Sequence, residues 1–99
     1  MEKGGWVYIL TNEKNKVLYT GVTSNLRARI YDHKSKTHPN SFTARYNVNK
    51  LVYHQAFFSI EEAILEEKKI KGGSRRSKEK RVNGMNPNWR ELYSVEMEV

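Results

Sequence analysis

The stretch GWVYIL (residues 5–10) is followed, after TNEKNK (11–16), by VLYTGVT (17–23). Both flanking runs are rich in β-branched and aromatic residues and the stretch between them is polar, so together they predict an antiparallel hairpin. Tyr8 falls on one strand and Tyr19 on the other, with Gly21 just behind the second tyrosine. Downstream, TSNLRARIYDHK (23–34) offers Ser24 or Asn25 as an N-cap and places Leu26 and Ile30 four apart, which predicts a short amphipathic helix ending near Lys36. THPNSFTARY (37–46) reads as a loop with one helical turn. KLVYHQAFF (50–58) reads as a third strand. In SIEEAILEEKKIK (59–71), Ser59 and Glu62 form a capping-box pattern, and Gly72–Gly73 closes that helix. A last basic helix is expected from Ser74 to about Asn83, before NPNWRELY (86–93) returns Trp89, Leu92 and Tyr93 to the body. The expected class is α+β, a small three-stranded antiparallel sheet flanked by helices in the order β-β-α-β-α-α.

A chain of 99 residues without an internal repeat is expected to be one domain, 1–99. No run approaches the ~20 apolar residues of a membrane span, and the N-terminal residues lack the succession of a signal peptide, so the expected location is cytoplasmic with no membrane partner. The absence of cysteine excludes disulfides and thiolate metal sites. Lys and Arg outnumber Asp and Glu by 18 to 11, a net charge of +7 that attracts polyanions, nucleic acid first among them. The excess is concentrated between residues 68 and 81, where eight cations (Lys68, Lys69, Lys71, Arg75, Arg76, Lys78, Lys80 and Arg81) face one acid, Glu79.

Helical spacing places Glu67 four after Ala63 and three before Ile70, on the inward stripe of its helix. An inward carboxylate is costly unless it is paired or bound to a metal. Two readings follow: a structural pair with a nearby arginine, or a single-carboxylate magnesium site. Arg29 and His33, also four apart, share a face beside Leu26 and Ile30 and are positioned to lean over the hairpin tyrosines. His33, His38 and His54 lack the spacing of a zinc motif. Phe42, Arg45 and Tyr46 suit either contact with an unstacked base and phosphate or, for the two aromatics, anchoring in the core.

Together these segments resemble the GIY-YIG nuclease superfamily. WVY (6–8) and YTG (19–21) correspond to the two halves of its name, with Trp6, Val7 and Thr20 in place of Gly, Ile and Ile. The likeness continues through NLRARIYDH with Arg29 and His33, FTARY, EEAILEEKKIK with Glu67, and NPNW, and covers nearly the whole chain. It is similar to the catalytic domains of phage homing endonucleases and of the bacterial excision-repair nuclease subunit. The resemblance implies a metal-dependent endonuclease acting on DNA, selective for substrate structure and connected with repair, with RNA and a specificity-giving protein partner left open. The alternative is a non-catalytic nucleic-acid-binding module on the same scaffold.

Carried onto this chain, the resemblance implies a site of Tyr8, Tyr19, Arg29, His33, Glu67 and an asparagine, Asn86 or Asn83, with Gly21 as its structural member. Phosphodiester hydrolysis must deprotonate a water, meet the charge of the phosphoryl oxygens and stabilise the leaving oxygen. Either tyrosine is a candidate base, provided nearby cations lower its pKa from ~10. Arg29 suits the phosphate through its planar, permanently charged fork. His33 would orient the water or a tyrosine, and Glu67 would hold Mg²⁺, or Mn²⁺ in its place, on the leaving side. Arg45, Lys71, Arg75, Arg76 and Lys78 are the expected nucleic-acid contacts.

Overall fold

The computed structural model describes residues 4–93. Its elements are β1 (Gly5–Thr11), β2 (Leu18–Thr23), α1 (Leu26–Ser35), α2 (Phe42–Arg45), β3 (Lys50–Phe57), α3 (Ile60–Lys71) and α4 (Arg75–Met85). The single turn expected around Phe42 is α2, so the order is the one the sequence implies with that turn written in. The three strands form an antiparallel sheet in the order β2-β1-β3. In the hairpin register Tyr8 faces Gly21, Ile9 faces Thr20 and Leu10 faces Tyr19. The connection turns on Asn15 at φ 59° and on the Asn12 side chain, whose Oδ1 accepts from the amides of Lys16 (2.7 Å) and Val17 (3.3 Å).

Strand alternation sends the apolar residues of β1 to two cores. Val7 and Ile9 join Val52, Tyr53, Ala63, Ile70 and Val82 under α3 and α4. Tyr8 and Leu10 join Leu26, Ile30, Val48 and Leu51 on the α1 side. Helix α3 can lie close on the sheet because residue 5 is glycine: a Cβ there would stand 2.8 Å from the Ala63 Cβ and 2.9 Å from the Ile60 Cα.

Each long helix opens on a polar cap. The side chains of Asn25, Ser59 and Ser74 accept from the amides of Ala28, Glu62 and Ser77, satisfying donors that the first turn leaves open. Helix α1 stops where Lys36 enters the left-handed region at φ 53°. After α4 the chain returns along β3. The Leu92 amide donates to the Leu51 carbonyl (2.8 Å), the Leu51 amide donates to Glu91 Oε2 (2.8 Å), and Lys34 pairs with the other oxygen of that carboxylate.

Candidate active site

The site is assembled where α1 crosses the hairpin. Because Arg29 and His33 follow one another by a helical turn beside the buried Leu26 and Ile30, packing of that stripe brings both over β1 and β2. His33 Nε2 lies 3.0 Å from the Tyr8 hydroxyl, and its Nδ1 lies 3.0 Å from Thr43 Oγ1. The imidazole centroid is 5.7 Å from both the Tyr8 and the Tyr19 ring, and the two tyrosine rings are 6.4 Å apart.

Arg29 acts on the Tyr8 phenol as a neighbouring cation that is able only to donate. With the phenol oxygen turned to that cation, its proton is directed to His33 Nε2. That assignment leaves Nδ1–H to donate to Thr43. Thr43 is the member that sequence reasoning missed, because its part depends on α2 docking against α1 and not on any local spacing. The same threonine hydroxyl stands 3.4 Å from Ser41 Oγ, the N-cap of α2.

The electrostatics of the two central groups follow from burial. Tyr8 is only 1% exposed, and desolvation pushes its pKa up to about 12 despite the opposing hydrogen bond from Arg29. The expectation that neighbouring cations depress it is therefore corrected for Tyr8: the cost of burying a phenolate outweighs one guanidinium. Burial, reinforced by the Arg29 charge, lowers His33 to about 4, so the imidazole is neutral across the physiological range. Tyr19, by contrast, is partly exposed and lines a pocket of about 200 Å³ with Arg29, Asp32, His33, Lys36, His38 and the residues Ser41–Ala44. Asp32, Lys36 and His38 are lining groups that no motif had singled out.

Glu67 is on the inward stripe of α3 as its spacing predicts, 8% exposed and flanked by buried Ala63 and Ile70. Its partner is a lysine and not the arginine of the structural reading: Lys71 Nζ is 2.7 Å from Oε2. The hydrogen bond to Glu67 raises the Lys71 pKa and keeps it charged. Although α3 covers the face of the sheet opposite α1, the Glu67 charge acts on the Tyr8 phenol and the Lys71 charge on Tyr19. The two helices thus converge electrostatically on the tyrosine pair. Among the described residues no group of three His, Cys, Asp or Glu side chains is placed to hold a metal. A lone buried carboxylate fits Mg²⁺, which takes one or two carboxylates and keeps its remaining positions for water and substrate oxygens, and it does not fit zinc.

Several expected members lie elsewhere. Asn86 is buried away from the pocket, and its amide is fully engaged: Nδ2 donates to the carbonyls of Val52 (3.2 Å) and Arg90 (2.8 Å), and Oδ1 accepts from the Arg90 amide (3.1 Å). It clamps the C-terminal return to β3, a structural role. Asn83 accepts from Trp89 Nε1 at 2.7 Å. The basic run is also partly committed within the protein. Arg75 donates to the carbonyls of Lys16 (2.8 Å) and Asn15 (3.1 Å) and pairs with Glu79 (2.8 Å), pinning α4 to the hairpin turn. Lys78 donates to the Gly73 carbonyl (3.0 Å) and Arg81 pairs with Glu66 (2.8 Å). Arg76 and Arg45 are exposed.

A family model described as the GIY-YIG catalytic domain matches residues 4–83. The chain belongs to the GIY-YIG family. A UPF0213 protein of Staphylococcus haemolyticus is 39% identical over 81 residues, covering 78% of this chain and 92% of the relative. A UPF0213 protein encoded in the VLF1-GP41 intergenic region of Autographa californica nuclear polyhedrosis virus is 46% identical over 50 residues, half of this chain; the match spans 46% of that relative's length. The solution NMR structure of a UPF0213 protein from Bacillus halodurans superposes with a TM-score of 0.57 at 32% identity, over 93% of this chain and 96% of that one. The GIY-YIG match contains Tyr8, Tyr19, Gly21, Arg29, His33 and Glu67 and stops at Asn83, short of the Asn86 clamp. The family is one of nucleases, with nucleic acid as its substrate class, and no described helix is long and apolar enough to cross a membrane.

Proposed function

We propose that this GIY-YIG protein is a metal-dependent endonuclease that hydrolyses DNA phosphodiester bonds, with Tyr19, Arg29 and Glu67 as its catalytic residues. The observation that carries this reading is the partition of the tyrosine pair. Tyr8 is buried, protonated and held between Arg29 and His33, whereas Tyr19 opens onto the pocket that Arg29 also lines.

In this reading Tyr8 and His33 are positioning residues. They fix the guanidinium of Arg29 from behind so that its remaining donors face a phosphate in the pocket. Tyr19 is the general base in its phenolate form, whose negative charge faces the Arg29 and Lys71 cations; it takes a proton from the attacking water and becomes a neutral phenol, while the negative charge passes to the phosphoryl oxygens that Arg29 meets. Glu67 would hold Mg²⁺ or Mn²⁺, which supplies Lewis-acid stabilisation of the leaving oxygen. Lys71 neutralises the carboxylate before that ion binds. Arg45 and Arg76 supply phosphate contacts at the surface.

The deciding experiment incubates the purified protein with single-stranded, duplex, flapped and branched DNA, with and without Mg²⁺ or Mn²⁺. Metal-dependent cleavage that is lost in Glu67→Gln and in Tyr19→Phe supports the assignment. Tight DNA binding without cleavage of any substrate would replace it with the binding-module reading.

A further inference from the structure

Beside the pocket, Phe42 of α2 and Tyr46, the C-cap of that helix, are two aromatic side chains that the sequence left between core and surface. The structure places both outside: Phe42 is 50% exposed and Tyr46 is 52% exposed. Their ring centroids are 5.0 Å apart with the planes tilted by 46°, and the Arg45 guanidinium lies 5.7 Å from the Tyr46 centroid. Core packing is thus not what keeps these rings in place. Two neighbouring rings turned to water with a cation on one of them lose apolar burial and gain a stacking surface.

Phe42 is also a wall of the pocket that Tyr19 and Arg29 line, so the aromatic ledge is continuous with the candidate catalytic pocket. That pocket, at about 200 Å³, is smaller than the roughly 300–1,000 Å³ of clefts that enclose drug-sized ligands. It admits a phosphate or a single planar ring. Double-helical bases are already stacked on their neighbours and offer no free face to an exposed ring, whereas an unpaired base does.

From these juxtapositions we infer that Phe42 and Tyr46 form a stacking platform for an unpaired nucleotide next to the bond cut at the pocket, with Arg45 on the adjoining phosphate. The substrate class is accordingly a strand that is single-stranded at the site of cleavage. This inference rests on the nuclease reading for its place in the reaction, and on the exposed rings alone for binding. The recognition is tolerant of sequence, because every base has a π-face.

The test uses full-length Glu67→Gln protein, which binds without cutting in the nuclease reading. It is titrated with a fluorescein-labelled single-stranded DNA oligonucleotide, with the RNA strand of the same sequence and with the blunt DNA duplex, all at one salt concentration. The single strands are expected to bind more tightly than the duplex. Adding Phe42→Ala or Tyr46→Ala to the Glu67→Gln protein should weaken single-strand binding by about 5- to 150-fold, the loss of one stacked base, and leave duplex binding unchanged. Tyr46→Phe should restore binding and Tyr46→Leu, of similar apolar size but without a π-face, should not. The preferred strand identifies the sugar. Equal affinity for duplex and single strand, or alanine variants that bind the single strand as the parent does, would overturn the platform. Wild-type protein that cuts duplex and single strand equally, with both alanine variants as active, sinks the platform and leaves the nuclease reading standing. Ring-dependent single-strand binding by a wild-type protein that cuts nothing does the reverse.

Discussion

The Tyr8 ring lies across Gly21, its register partner on β2, so closely that a Cβ at position 21 would stand 2.3 Å from both Cζ and the hydroxyl oxygen of the phenol. Gly21 has no positive φ. Its glycine is required by this approach and not by the backbone's conformation. The missing side chain lets the phenol reach across β2 to meet His33 and Arg29, so the third residue of the YTG half serves the tyrosine of the other half.

Gly21→Ala is therefore expected to destabilise the fold by about 1–3 kcal/mol, because the Tyr8 ring has no room to yield without leaving its core. Urea denaturation measures this, and cleavage should fall as Arg29 loses its anchor. Gly84, in α4, is the control. A Cβ there meets nothing within 4 Å among the described residues, and Gly84→Ala should raise stability by about 0.5–1 kcal/mol through helix propensity. Equal effects at the two positions would sink the argument from close approach.

The hydroxyl of Thr20 is buried and has no hydrogen-bond partner among the described residues. Thr20→Val keeps the β-branched shape on β2 and removes the desolvated polar atom, so it should stabilise the protein by about 1 kcal/mol. A lower melting temperature for this variant would show that the hydroxyl is satisfied in solution.

Arg29→Lys should cut cleavage at least ~10-fold with little change in the far-ultraviolet circular dichroism spectrum. An ammonium is unable to bond Tyr8 and present a fork to phosphate at the same time. Full activity in this variant would remove Arg29 from the catalytic set.

Glu67→Gln should leave stability within about 1 kcal/mol of the parent, since Lys71, whose side chain is 53% exposed, is left in water and not stranded. Cleavage should vanish. Lys71→Met removes the competing cation from the carboxylate and should tighten Mn²⁺ binding measured by calorimetry. Unchanged Mn²⁺ affinity in both variants would move the metal away from Glu67.

Acid should weaken the fold through His33. Its folded pKa of about 4 lies below the unfolded 6.5, so as pH falls from 6.5 toward 4 the unfolded chain takes up the proton and the folded chain does not. Stability from this group is full above pH 6.5 and declines through that window. His54, also lowered by burial, acts in the same direction. The loss for His33, half in contact with solvent, should be about 1 kcal/mol by pH 5. Urea midpoints at pH 7 and pH 5 for the parent and His33→Gln measure it. A slope as steep in the variant would assign the acid lability to other groups.

What the sequence by itself determined is the part written in short-range periodicity and caps. Ser24 or Asn25, Ser59 and Ser74 mark helix starts, and the structure chooses Asn25. The four-residue spacings put Arg29 and His33 on one face of α1 and turned Glu67 inward on α3. The hairpin placed Tyr8 and Tyr19 on adjacent strands. Only the tertiary structure decided which tyrosine is sealed and which is open, because that depends on how α1 and α2 close over β1 and β2. It also decided that Thr43 fixes the histidine, that Asn86 is a clamp, that Arg75 is spent on the hairpin turn and that Phe42 and Tyr46 face water. Each of these is a contact between residues far apart in the chain, or the lack of one. Local spacing fixes the face of an element on which a side chain stands, and the packing of other elements against that face fixes its solvent, its partners and its charge state.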